Sequence, residues 1–223
     1  MHASVWIDEA GALPWRPFMP LARPSLLLLD FDGVLALYSR PRRIAALAAA
    51  TGCTPARVHE VLFVQGLERS YDAGEIDTEA YLARLSAALG ATIDRAMWVA
   101  ARVAACRADA AVVAQVQAVS THTAIGVLTN NGPLMAEAIS QIVPSLFPLL
   151  CGRVLCSGAL GGRKPDAQVY TRALAQLQAG AAQTLFVDDV FVNVRGARAA
   201  GLHAETIRDA RGFRRVLKRY ALA

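Results

Sequence analysis

Four consecutive leucines, Leu26–Leu29, lead directly into the segment DFDG at residues 30–33. An unbroken apolar run that ends abruptly in carboxylates is typical of a strand buried on both faces of a parallel sheet. In such a sheet, ligands bind beyond the carboxyl ends of the strands. This segment therefore predicts a buried first strand with a polar site at its end.

Further runs of the same kind follow along the chain. Together with the first they predict five strands, at residues 25–30, 123–129, 153–156, 184–188 and 203–207. Helical patterns lie between the later runs, at residues 133–142, 166–178 and 194–200. Strands that alternate with helices form a parallel sheet with right-handed crossovers. We therefore expect an α/β fold with a doubly wound, Rossmann-like parallel sheet.

One long interval breaks this alternation. Residues 38–108 show helical patterns and no strand pattern, and about 70 residues is too long for a loop. Turn and capping residues predict helix starts at Thr54 and Asp77, and helix ends at Gly52, Gly74 and Gly90. We predict a small helical cap at residues 38–108, a core formed by residues 25–37 and 109–223, and an N-terminal extension at residues 1–24.

The composition is that of a globular protein, with 55% hydrophobic and 18% charged residues. The absence of a bilayer-length apolar run or a signal-peptide pattern predicts a cytoplasmic protein that does not bind membranes. Four cysteines without metal-ligand spacing are expected to be free thiols. Residues 195–223 hold eight Arg and Lys against two acidic residues, and a solvated helix face is favoured there over nucleic-acid binding. The sequence does not indicate an oligomeric state.

Polar residues follow three of the predicted strands. They are Asp30 and Asp32 after the first strand, Thr129 and Asn130 after the second, and Asp188 and Asp189 after the fourth. Carboxylates gathered at one sheet edge repel one another unless a cation lies among them. A small number of hard oxygen ligands suits Mg²⁺, which keeps several waters and holds a phosphate oxygen.

Two further residues point to an anionic ligand at this edge. Lys164, one of only two lysines in the chain, lies in the glycine-rich segment GGRKP. Gly33 allows the backbone to approach a bound anion closely. Carboxylates, a metal ion, a lysine and a threonine hydroxyl around one anion predict a phosphoryl-transfer site.

The ordered segments DFDGV, LTNN, RKPD and VDDVFVN resemble the four motifs of the haloacid dehalogenase-like superfamily, over about residues 24–210. The predicted helical insertion resembles that family's cap. The stretch from GGRKPD to RGARAAGL is similar to the branch that contains small sugar-phosphate phosphatases and the N-terminal phosphatase domain of epoxide hydrolases. The resemblance implies Mg²⁺-dependent hydrolysis of a small-molecule phosphate monoester, such as a sugar phosphate.

The resemblance also implies roles for individual residues. Asp30 is the nucleophile that forms an aspartyl-phosphate, Asp32 is the general acid and base, and Lys164 offsets charge on Asp30 and the phosphate. The implied phosphate contacts are Thr129, Asn130 and Gly33. The implied magnesium ligands are Asp30, Asp32 through its backbone carbonyl, Asp188 directly, and Asp189 through water or by orienting the others. Asn193 is expected to hold the loop after Asp189.

Substrate choice is expected to lie in the cap, where an arginine suits a second anionic group. Residues 66–74 resemble the family's cap loop. The cap-side candidates are Tyr38, Ser39, Arg40, Arg43, Gln65, Arg69 and Tyr71, of which Arg40 and Arg69 are the predicted substrate-binding residues.

Single residues argue for or against the other activities known in this family. Asp32 argues against dehalogenation, and the absence of lysine from residues 38–108 excludes the Schiff base of phosphonate hydrolysis. A sugar phosphomutase stays open, although the segment after Asp32 lacks the histidine of the best-known mutases. A catalytically weak binding or regulatory module, with the basic C-terminal helix docked on an acidic partner, also stays open.

Overall fold

The computed structural model describes residues 23–223, so nearly all of the predicted extension at residues 1–24 lies outside the described residues. The five predicted strands are present as β1 (Leu26–Leu29), β4 (Ala124–Thr129), β5 (Val154–Cys156), β6 (Thr184–Asp188) and β7 (His203–Thr206). They form one parallel sheet in the order β5-β4-β1-β6-β7. The carboxyl ends of β1, β4 and β6 therefore meet at the centre of one edge.

The four leucines of the central strand β1 are buried on both faces of the sheet. Leu27 and Leu29 pack into one apolar core, and Leu26 and Leu28 pack into a second core on the opposite face of the sheet. Each of the four is at most 2% exposed. Because both faces are covered, a polar residue at any of these positions loses its water without gaining a partner.

After β1 the chain forms a two-stranded antiparallel pair, β2 (Ala36–Tyr38) with β3 (Cys106–Ala108). Between these strands lie the helices α1 (Arg40–Thr51), α2 (Pro55–His59), α3 (Leu67–Asp72), α4 (Thr78–Leu89) and α5 (Arg95–Ala105), with a π-helical turn at Glu60–Val64. The expectation of no strand in residues 38–108 is wrong at Cys106–Ala108, because three residues are too few to show alternation. The β2–β3 pair carries the helical cap on the core.

The cap helices begin and end at the residues that the sequence indicates. Thr54 caps α2 by accepting from the Arg57 N–H, and Asp77 caps α4 in the same way. Gly52 and Gly90 follow α1 and α4 with positive φ. Local capping chemistry therefore predicts these four boundaries. Helix α3 ends at Asp72, two residues before the predicted Gly74, and has no side-chain cap.

The core helices cover both faces of the sheet. They are α6 (Ala110–Val119), α7 (Met135–Ile142), α8 (Ser157–Leu160), α9 (Ala167–Leu177), α10 (Phe191–Ala199) and α11 (Ala210–Arg219). Helices α6, α7 and α11 pack with Leu27 and Leu29, whereas α8, α9 and α10 pack with Leu26 and Leu28. This arrangement confirms the doubly wound α/β fold.

The structure also bears on the predictions for the C-terminal segment and for the cysteines. The basic C-terminal segment is the amphipathic helix α11, which buries Phe213, Val216 and Leu217 and exposes its arginines and its lysine.

All four cysteines are free thiols. Within residues 23–223, none of the helices combines the length and the apolar character needed to cross a bilayer.

Candidate active site

Three carboxylates converge at the carboxyl edge of the sheet. Asp30 directly follows β1, and Asp188 ends β6 with Asp189 after it. One oxygen atom from each of the three lies within 4.8 Å of the others. Asp30 is 7% exposed and Asp188 is fully buried, so water screens their mutual repulsion poorly.

The ammonium group of Lys164 lies within this cluster. Its Nζ atom lies 3.0 Å from Oδ1 of Asp30 and 2.7 Å from Oδ2 of Asp188. The same ammonium group donates to the Leu128 carbonyl at 2.8 Å. One buried cation therefore faces three carboxylates, and the cluster keeps an excess of negative charge.

That excess is visible in the pKa of Asp30. Burial raises the pKa of this carboxyl to about 7, Lys164 opposes the rise, and the charges of Asp188 and Asp32 add to it. The pKa of Asp189 is also raised, by burial and by Asp188. A second positive charge would stabilise the ionised forms of these groups. Three hard carboxylate oxygens within reach of one another fit Mg²⁺, with Asp30, Asp188 and Asp189 as the side chains that would hold it.

Competition between a proton and the metal ion follows from the Asp30 pKa. Below about pH 7 Asp30 must lose a proton before it binds a cation, so the apparent Mg²⁺ affinity should rise up to about tenfold per pH unit and level off above about pH 7. Calorimetric titrations in buffers of different ionisation enthalpy would measure the released proton. Asp30→Asn should abolish this proton release, and an affinity that is flat across this pH range would contradict the assignment.

Gly33 is needed to place Asp189. Its φ is +85°, and a Cβ atom at this position would overlap the carboxylate of Asp189. No side chain fits there without displacing that carboxylate. Gly33 also lines the cavity in front of Asp30, as the sequence predicts for a residue that lets the backbone approach an anion.

Substitution of Gly33 should therefore act on the metal site. We expect Gly33→Ala to weaken Mg²⁺ binding by about tenfold or more, because Asp189 must move and the left-handed backbone becomes strained. Titration of Mg²⁺ by calorimetry measures this loss. Gly52→Ala is a matched control, since Gly52 also has a positive φ but a Cβ atom added there would meet no heavy atom within 4 Å. Equal Mg²⁺ affinity in the two variants would argue against this role of Gly33.

The Asp32 carboxylate points away from the three-carboxylate cluster. Its Oδ2 atom accepts from Nη2 of Arg102 at 2.8 Å and from Nδ2 of Asn131 at 3.3 Å. Arg102 lies on α5 of the cap and is almost completely buried. The Asp32 side chain is thus not one of the three clustered carboxylates, and ligation through its backbone carbonyl remains a prediction. The sequence alone does not indicate Arg102 or Asn131.

The two polar residues at the end of β4, Thr129 and Asn130, contact different partners. Thr129 is buried and its Oγ1 accepts from Nδ2 of Asn131 at 2.8 Å. The Asn130 side chain binds the Lys164 backbone twice, donating to its carbonyl at 3.0 Å and accepting from its N–H at 2.8 Å. The side-chain amide of Asn130 therefore holds the backbone of Lys164 in place. The predicted phosphate contact of Asn130 is left to its own backbone N–H.

Asn193 has a more direct part than the sequence indicates. Its Nδ2 donates to both oxygens of Asp188, at 3.2 and 3.0 Å. The Val190 N–H donates to Oδ1 of the same carboxylate at 2.7 Å. Since Lys164 takes Oδ2, these contacts hold the Asp188 side chain in one orientation.

Contacts from α3 hold the cap against the core. The Tyr71 hydroxyl accepts from the Leu134 N–H at 3.0 Å, and Oδ1 of Asp72 accepts from the Gly132 N–H at 3.0 Å. A Cβ atom on Gly132 would overlap the Tyr71 ring. The predicted cap loop at residues 66–74 therefore contains the part of the cap that meets the core.

The cap-side candidates fall into two groups. Tyr38 and Arg40 line a cavity of about 620 Å³ in front of the carboxylates, and Arg69 lines a neighbouring cavity of about 160 Å³. The others have other contacts: Ser39 caps α1, Arg43 is buried against Glu68, Gln65 borders a separate cavity, and Tyr71 docks the cap.

The large cavity brings the predicted site residues together. Its lining includes Asp30, Asp32, Gly33, Thr129, Asn130 and Asp189. Lys164 and Asp188 lie beneath this surface and contact it through Asp30. A volume of about 620 Å³ accommodates a whole small molecule rather than a phosphate group alone.

Solved structures with the same fold are numerous. A predicted haloacid dehalogenase-like hydrolase of Porphyromonas gingivalis superposes with a TM-score of 0.71 and 20% identity, over 90% of this chain and 98% of that one. A haloacid dehalogenase family enzyme of Bacteroides thetaiotaomicron, solved with magnesium and inorganic phosphate, gives 0.66 and 16% identity, over 82% and 93% of the two chains. These likenesses establish the fold.

Sequence comparison adds the family. Phosphatase MT3486 of Mycobacterium tuberculosis is 38% identical over 80 residues, which is 36% of each chain. Sesquiterpene phosphatase astK of Aspergillus oryzae is 43% identical over 49 residues, 22% of this chain and 25% of that one. The matched segments thus span about a third and a quarter of these relatives. Residues 24–201 match the sequence profile of the haloacid dehalogenase-like hydrolases, and the chain belongs to that family.

Proposed function

We propose that this hydrolase is a Mg²⁺-dependent phosphatase that cleaves small-molecule phosphate monoesters through an aspartyl-phosphate on Asp30. The observation that carries the proposal is the position of Asp30, which borders the large cavity while the buried ammonium of Lys164 lies 3.0 Å behind it. The phosphatase names of the two sequence relatives, and the magnesium and phosphate in the Bacteroides enzyme, support it.

The first half of the reaction uses Asp30, Lys164 and Asp32. A carboxylate oxygen of Asp30 forms a bond to phosphorus while the bond from phosphorus to the ester oxygen breaks. Lys164 offsets the negative charge on Asp30 and on the phosphoryl oxygens. Asp32 gives its proton to the leaving alkoxide. Asp30, Asp188 and Asp189 would hold Mg²⁺, which when bound would supply additional positive charge next to the phosphoryl group.

The second half returns the site to its starting state. Asp32, now ionised, takes a proton from water while the water oxygen attacks phosphorus and the bond to Asp30 breaks. Inorganic phosphate leaves and Asp32 is protonated again. Arg102 and Asn131 hold Asp32 at the junction of cap and core during these transfers. Thr129 provides a hydroxyl at the cavity wall for a phosphoryl oxygen.

Hydrolysis of p-nitrophenyl phosphate tests the proposal. Purified protein should release phosphate with Mg²⁺ and lose this activity with a chelator. In Asp32→Asn the first step needs little acid catalysis, because p-nitrophenolate is a good leaving group, whereas the second step loses its base. We therefore expect a burst of nitrophenol followed by slow turnover, which rapid-mixing absorbance detects.

Three other results would point away from a phosphatase with these roles. Steady release by Asp32→Asn without a burst would place the base elsewhere. Isomerisation of a sugar phosphate without release of phosphate would indicate a phosphomutase. Failure to cleave any member of a broad panel of phosphate esters, together with a protein that co-purifies, would favour a binding module.

A further inference from the structure

The cavity in front of Asp30 continues towards the cap. The smaller cavity of about 160 Å³ lies between the cap and residue 163, and both cavities are lined by Arg40 and Arg163. Arg69 lines the far part of the smaller one. A molecule whose phosphate lies against Asp30 therefore has a path along which three arginines follow one another.

These arginines lack counter-ions. Among residues 23–223 none of the three lies within ion-pair distance of a carboxylate. The guanidinium of Arg40 lies 4.5 Å from the centre of the Phe63 ring, which does not neutralise it. The Nε atom of Arg163 is buried and, in the described part of the chain, has no hydrogen-bond partner.

The acidic residues that border the smaller cavity have other partners. Glu68 is bound by the buried guanidinium of Arg43 and by the Tyr81 hydroxyl. Asp72 accepts from the Gly132 N–H, and burial, together with the charge of Glu68, raises the pKa of Asp72 well above its ordinary value. Within the described residues, neither acidic residue of the smaller cavity therefore forms an ion pair with Arg40, Arg69 or Arg163.

We infer that the substrate carries a second anionic group, a carboxylate, which Arg163 and Arg40 bind. This inference rests on the proposed phosphatase function. Cations that border one cavity repel one another, and an anion bound between them relieves that repulsion. Guanidinium groups bind the oxygen pairs of carboxylate or phosphate through two parallel hydrogen bonds, which gives both affinity and orientation.

Two exposed apolar residues of the large cavity suggest the competing substrate class. Leu37 and Val190 line this cavity and are 47% and 45% exposed. An apolar phosphate ester would lie against these residues and leave the arginines unused. The buried, unpartnered Nε of Arg163 favours the anionic substrate, because a buried guanidinium nitrogen without an acceptor costs free energy that an apolar ligand does not recover.

Matched substrate pairs test the inference. We would measure kcat/KM for phosphoglycerate against glycerol phosphate, and for phosphogluconate against glucose phosphate. In each pair the carboxylate member should be preferred by about tenfold or more. Arg163→Met and, separately, Arg40→Met should reduce that preference by about tenfold. Arg42→Met is the matched control: Arg42 is exposed on α1, two residues from Arg40, and borders none of the described cavities.

The outcomes separate this inference from the proposed function. Activity of the unmodified protein on p-nitrophenyl phosphate tests the function alone. If that activity is present but the carboxylate member has no advantage, or if alkyl phosphates are preferred to both members, the second-anion site is refuted. A preference that Arg163→Met and Arg40→Met leave intact refutes it as well. Arg40 is exposed, so its variant keeps the test valid if Arg163→Met fails to fold.

Discussion

Asp30→Asn should eliminate turnover of p-nitrophenyl phosphate, with a loss in kcat of about 10⁴-fold or more. Asparagine keeps the size and one oxygen of the side chain but cannot displace an alkoxide from phosphorus. The Phe31 N–H donates to Oδ1 of Asp30 at 2.7 Å, and the side-chain oxygen of asparagine can accept the same bond. The loss should therefore reflect chemistry and not misfolding.

Stability measurements provide the control for this variant. The folded Asp30 has a pKa of about 7 against 3.8 ordinarily, so between these values the folded state binds a proton that the unfolded state does not. Without metal, this group makes the protein less stable as the pH rises from about 4 to about 7. Asp30→Asn should remove that fall while the melting temperature stays at or above that of the unmodified protein. Substantial turnover by a folded variant would disprove the nucleophile assignment.

The sequence predicts those parts of the site that depend on strand ends. A parallel sheet brings the carboxyl ends of neighbouring strands to one edge, so Asp30, Thr129 and Asp188 meet once their strands are recognised. Capping residues predict the cap helices for a similar reason, because each cap is satisfied within a few residues of the chain. Local signals are sufficient in both cases.

Contacts between distant segments leave no comparable signal. Arg102 binds Asp32 from 70 residues further along the chain. In the sequence alone, it is one of many arginines in segments with a helical pattern. The Asn130 amide faces Lys164 rather than the cavity because the loop at residue 164 passes beside it. Such details depend on how the cap and the loops pack, which is a property of the whole fold.

The second large effect is expected from substitution of Lys164, the positive charge in the cluster. We expect Lys164→Met to lose nearly all activity and to destabilise the protein by about 3–5 kcal/mol. Methionine fills a similar space, but Asp30 and Asp188 then lose the ammonium that lies 3.0 and 2.7 Å from them. Thermal or urea unfolding without metal measures the loss. Added Mg²⁺ should stabilise this variant more than the unmodified protein, because the ion replaces part of the missing charge.

A double-mutant cycle shows whether this destabilisation is electrostatic. Asp30→Asn removes one of the carboxylates that Lys164 neutralises, so adding it to Lys164→Met should restore part of the lost free energy of unfolding. The single variant Lys164→Met and the double variant carry the same methionine at position 164, so the loss of lysine packing is common to both proteins. If the effects of the two substitutions on the free energy of unfolding are instead additive, Lys164 stabilises the fold through its packing and its bond to the Leu128 carbonyl. A larger gain in the free energy of unfolding from Asp30→Asn in the Lys164→Met protein than in the unmodified protein would show that the lysine is needed because the carboxylates are there.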